Sequence, residues 1–134
     1  SRVGLARRLA PLIFISKCII YIMDAKEFGE YTNWPGRKTF IEERTMVESA
    51  IEGEEYQEIK EYLKPLIDHW SKEFKLERPE INWTSEEFQE SGFLHLDMAL
   101  KKYREKVSEG EVGFKFSSYF EWYIRQGFLD HLKQ

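Results

Sequence analysis

Between Tyr56 and Phe74 the apolar residues Tyr56, Ile59, Leu63, Ile67, Trp70 and Phe74 recur at spacings of three and four. A strand changes face at every residue, so this stretch can bury one side only as a helix. The spacing predicts a helix from about Glu54 to Phe74. Pro65 falls in its middle, where it removes one backbone hydrogen bond and predicts a kink. No segment shows sustained two-residue alternation, so no sheet is expected. The fold class that follows is all-α, a bundle of four to five helices with short connections.

Two more helices announce their starts. Thr39 with Glu42 is a capping box that opens a helix to about Glu52, with Gly53 as its stop. Phe40, Val47, Ala50 and Ile51 are its apolar face. Thr84 with Glu87 opens another, predicted to run unbroken to about Val107. Its buried face is Phe88, Gly92, Leu96, Ala99, Leu100 and Tyr103. Gly92 costs helix stability, about 1 kcal/mol against alanine, so its place there predicts close approach of another backbone. Residues 108–113 read as a turn.

The last segment, 113–126, puts six aromatic rings into fourteen residues. Ser118 with Glu121 reads as a capping box, which predicts a helix from there to about Leu132. Phe120, Tyr123, Ile124, Gly127 and Phe128 share one helical face. Trp122 falls off that face and Tyr119 sits at its margin. Flat rings beside Lys115 and Arg125 suit unstacked bases and a phosphate backbone. They equally suit a helix packed between neighbours.

Length and composition bound the rest. The 134 residues make one domain, and 42% hydrophobic residues with 16% aromatics supply a core. The net charge of −4 excludes a protein that binds DNA by bulk electrostatics, so any nucleic-acid contact must be local or assisted. Between residues 42 and 61 lie eight acidic side chains against two basic ones. They read as a solvated face, or as a surface that attracts a basic partner. One cysteine, Cys18, excludes an internal disulfide and fits a reducing compartment. His69, His95 and His131 have no metal-ligand spacing, and no cofactor motif is present. Glu87 and Glu90 share a helix, but without a nucleophile elbow or phosphate loop no enzyme is expected. His95 reads as structural, because the partners that catalysis needs are absent.

Residues 1–22 differ in character. Arg2, Arg7 and Arg8 precede a mostly apolar run from Leu9 to Met23 that carries Pro11, Ser16 and Lys17. Three readings stay open: sequence upstream of a start at Met23, an extra packed helix, or a signal or anchor. The run is too short and interrupted for a membrane span, so no membrane is expected. Residues 23–38 read as a loop by Gly29, Asn33, Pro35 and Gly36, with Trp34 tucked back onto the domain at 39–134.

The run Gly113-Phe114-Lys115-Phe116-Ser117-Ser118-Tyr119-Phe120-Glu121-Trp122-Tyr123-Ile124-Arg125-Gln126 resembles the promoter-melting segment of bacterial RNA polymerase sigma factors. Upstream, Glu87 to Tyr103 is similar to the helix before that segment, and Ile51-Glu52-Gly53-Glu54 resembles the turn that opens sigma region two. The resemblance covers about 40–134, in the family's order. It implies a cytoplasmic transcription initiation factor. Glu87, Glu90, Ser91 and Leu94 would meet the beta-prime clamp helices of core RNA polymerase. Phe116, Tyr119, Trp122 and Tyr123 would take the non-template strand of the minus-ten element, with Lys115, Arg125 and Gln126 as polar contacts. The chain departs from the family at Glu121, a carboxylate among the DNA-facing side chains, and at Asp130 and His131, where basic residues are usual. Residues 101–134 hold seven basic and five acidic side chains, a mildly positive balance. These 134 residues hold no helix-turn-helix segment for an upstream element. The resemblance therefore implies polymerase binding ahead of promoter recognition, and a sigma-fold interaction protein without DNA binding is the alternative.

Overall fold

A computed structural model describes residues 34–110 and 113–134; the expectations for 1–22, and most of those for 23–38, lie outside the described residues. The described residues are helical, with no strand among them. In chain order the helices are α1 (Phe40–Gly53), α2 (Gln57–Glu77), α3 (Ser85–Gly92), α4 (Leu96–Ser108) and α5 (Phe116–Leu132). They belong to one compact unit, 33–134. Helix α5 packs against each of the other four. The core is therefore gathered around it, with Phe116, Tyr119, Phe120, Ile124 and Phe128 all buried.

Helix α1 starts as its capping box dictates. The Glu42 amide donates to Thr39 Oγ1 at 3.2 Å, and the Thr39 amide donates to Glu42 Oε1 at 2.9 Å. Its end differs from expectation. Gly53 is the last helical residue, and the left-handed position falls on Glu54 at φ 49°. The Glu54 amide still closes the helix by reaching the carbonyls of Ala50 and Ile51. Helix α2 is one element through Pro65, which is exposed, and continues past Phe74 to Glu77. Trp34 is 6% exposed and stacks on Tyr62 with centroids 4.7 Å apart, so it does tuck onto the domain.

Two expectations are corrected. The helix foreseen from Thr84 to Val107 is two helices with a turn at Phe93–His95. The Leu94 amide bonds to Ser91 O and the Leu96 amide to Phe93 O, three residues back in each case, which tightens the chain into a turn. Gly92 ends α3, and the turn redirects the chain into α4. The second correction is the start of α5. It begins at Phe116, and its N-cap Lys115 makes no side-chain cap bond. Glu43 of α1 supplies the missing acceptor: its Oε1 takes the Ser117 amide at 2.8 Å. Ser118 lies within the first turn, where its hydroxyl accepts from Arg37 at 2.9 Å, and Glu121 is buried.

Several phenols are held neutral by this packing. Burial pushes the Tyr62 and Tyr103 phenols up, with the Tyr62–Glu43 hydrogen bond adding to the effect at Tyr62. The Tyr56 phenol donates to Asp97 and is pushed up to about 12, chiefly by that bond. An unfolded phenol ionises near about 10. The folded chain thus keeps protons that the unfolded chain releases, so this stabilisation is complete below that pH and is lost as pH rises through and beyond it. In an alkaline titration, the phenolate absorbance of Tyr62 and Tyr103 is expected to emerge together with loss of helical circular dichroism. All tyrosines titrating in the ordinary range with the helices intact would contradict this packing.

Candidate functional site

The resemblance singles out two surfaces, and the fold treats them differently. The first is the outer face of α3 and its corner with α4. Glu86 and Glu90 are exposed on α3. Leu94 is 50% and Met98 49% exposed just beyond it. Glu87 is committed locally: its Oε1 accepts the Thr84 amide at 3.3 Å, and its Oε2 lies 3.5 Å from His131 Nε2 on α5. Ser91 faces inward at 3% exposure, and its hydroxyl donates to the Glu87 carbonyl at 2.8 Å. The residues left exposed here are therefore Glu86, Glu90, Leu94 and Met98, with Glu87 half-buried and Ser91 buried.

An open groove of about 430 Å³ runs between α2 and α3, lined by Lys64, Asp68, Ser85, Glu86, Gln89 and Glu90. Gln89 fixes its wall by donating through Nε2 to Asp68 Oδ1 at 2.7 Å. Sequence reading missed Asp68 and Gln89. Their polar character off the apolar stripes of both helices was the available signal, but nothing in the spacing says that the two meet. Carboxylates outnumber the one lysine along this groove, which suits a basic partner.

The second surface is α5. Phe116 and Tyr119 are each 1% exposed and Tyr123 is 4% exposed. Burial also pushes the Tyr123 phenol up. Trp122 is half-buried, with its ring edge-on to Tyr123 at 5.1 Å and 88°. Lys115 and Gln126 are likewise half-buried, and Lys115 Nζ donates to the Lys38 carbonyl at 2.9 Å. Arg125 pairs with Glu77 of α2 at 3.2 Å, the side chains being 20% and 8% exposed. Its guanidinium also lies 5.8 Å from the centre of the Phe74 ring. Six of the seven residues singled out thus lie on α5 with Lys115 as its N-cap; Phe116, Tyr119 and Tyr123 are buried and the other four are half-buried.

His95 is tied into the frame: its Nε2 lies 2.7 Å from Asp130 Oδ2, which joins the α3–α4 corner to the end of α5. Among the described residues, no group of His, Cys, Asp and Glu side chains is arranged to hold a metal ion, and no helix is long and apolar enough to cross a membrane. Comparison with protein-family models, with curated proteins and with solved structures gives no match.

Proposed function

We propose that this chain is a sigma region-two-like module that docks on core RNA polymerase through the α3–α4 face, a role that belongs in the cytoplasm. The observation that carries the reading is the exposure of Glu86 and Glu90 on α3 together with that of Leu94 and Met98 in the turn and first turn of α4 that follow it. Interfaces bury apolar anchors within a rim of charges that selects and orients the partner. Here the anchors are Leu94 and Met98, and the carboxylates select a basic helical surface. The order of segments along 40–134 supports the same partner through the resemblance to sigma factors.

Glu90→Lys reverses a charge on an exposed position and leaves the core untouched. It is expected to weaken binding to core polymerase at least about tenfold, and to weaken it less at high salt, where the attraction is already screened. Titration of labelled core polymerase with each chain measures this. Equal affinities, or no saturable binding at micromolar concentration, would refute the reading.

A further inference from the structure

We infer that the docked domain does not capture single-stranded DNA and therefore acts as an occupancy inhibitor of transcription initiation. This rests on the docking reading above and adds to it the consequence of how α5 is built.

A base stacks on an aromatic side chain only where a ring face is free. Three of the four α5 rings named for stacking, Phe116, Tyr119 and Tyr123, are buried, and the half-buried Trp122 ring meets Tyr123 at 5.1 Å and 88°. Phe116 lies nearly parallel to Phe120, at 15° and 5.6 Å, and Tyr119 lies likewise on Phe114, at 15° and 5.7 Å. Tyr103 meets Phe116 edge-on at 5.3 Å. The Tyr119 and Tyr123 hydroxyls share a buried hydrogen bond of 3.1 Å. Presenting any of these rings to a base would open the core around which the bundle is assembled.

Cations meet the same obstacle. A phosphate that takes Arg125 from Glu77 leaves a carboxylate of 8% exposure without its guanidinium, which is more costly than the original pair. A phosphate that takes Lys115 removes the Lys38 carbonyl's donor. Glu121, at 8% exposure, adds a carboxylate to the middle of the same helix. The first turn of α5 is fixed from outside by Glu43 on the Ser117 amide and by Arg37 on both the Ser117 and Ser118 hydroxyls, at 3.1 and 2.9 Å. The docking residues Glu86, Glu90, Leu94 and Met98 take no part in any of these contacts. The chain can therefore occupy polymerase while its α5 stays closed.

The test is promoter opening by core polymerase with a subsaturating, initiation-competent sigma factor. The 134-residue chain is added at about ten times its own Kd for core, where mass action predicts about a tenfold fall in open complexes. Leu94→Asp, at an exposed position, is expected to relieve the inhibition. A fluorescein-labelled single strand of minus-ten sequence is expected to give no saturable anisotropy change with the wild-type chain. Opening supported by the chain itself would overturn the inference and leave docking standing. So would saturable binding of the oligonucleotide that Trp122→Ala abolishes with helical content intact, and so would binding to core without inhibition. Absence of binding to core would instead overturn the docking reading beneath it.

Discussion

Gly127→Ala is expected to destabilise the fold by about 3 kcal/mol, the upper end for overpacking a core. A methyl group at Gly127 would stand 2.0 Å from the Ser91 carbonyl oxygen and 3.1 Å from its carbon. Those are backbone atoms at the end of α3, so relief requires moving a helix rather than turning a side chain. Alanine's better helix propensity returns only about 1 kcal/mol, so the clash decides the sign. Two other glycines calibrate the result. At Gly92 the neighbours are Ile67 side-chain atoms at 3.0 Å, which can shift, so Gly92→Ala is expected to cost less. At Gly53 nothing lies within 4 Å, so alanine there is expected to be neutral or slightly stabilising. Urea denaturation followed by circular dichroism gives the three values on one scale. A Gly127→Ala chain as stable as wild type would mean that α3 and α5 do not cross at this point.

Glu43→Ala is expected to cost about 3 kcal/mol, because it leaves two buried donors without an acceptor. Glu43 is 1% exposed; Oε1 accepts the Ser117 amide at 2.8 Å and Oε2 accepts the Tyr62 hydroxyl at 2.6 Å. Tyr62 in turn accepts the Lys38 amide at 2.9 Å, so one carboxylate joins α1, α2, α5 and the segment before α1. Its negative charge also faces the positive end of the α5 dipole. Glu43→Gln keeps one acceptor oxygen and is expected to lose roughly half as much. Hydrogen exchange at the Ser117 amide separates a local from a global effect. It should accelerate more in Glu43→Ala than exchange in the middle of α2, and equal acceleration throughout would show that Glu43 is not a cap.

The contrast between these two sites explains what the sequence could convey. Helices α1 and α3 were legible from their capping boxes, and α2 from its stripe, because those signals are local. The turn at Phe93–His95 was not legible, since the apolar spacing from Phe88 to Tyr103 persists across it and propensity alone does not mark Gly92 as an end. The start of α5 was misread at Ser118 because its real cap, Glu43, stands 74 residues away in sequence. The αL position at Glu54 was likewise hidden beside a glycine that looked like the natural stop. The close backbone approach foreseen at Gly92 belongs to Gly127, while Gly92 meets a side chain.

At the candidate site, the exposure of Glu90 and Leu94 followed from their place off the buried stripe. The burial of Ser91 did not, because a small hydroxyl fits either side of a helix. For α5, a helical wheel assumes one buried face. Phe116 and Tyr119 stand seven and four residues before Tyr123, so the buried arc is wider than the face of Phe120, Tyr123, Ile124, Gly127 and Phe128 alone, while half-buried Trp122 lies off it.

On the proposed reading the α3–α4 face, and not α5, is the working surface. Hydrogen exchange of the 134-residue chain with and without core RNA polymerase tests it most directly. Slowed exchange across residues 85–98 is expected on adding polymerase, with exchange across 116–124 unchanged. Protection confined to 116–124, with 85–98 exchanging as before, would contradict it.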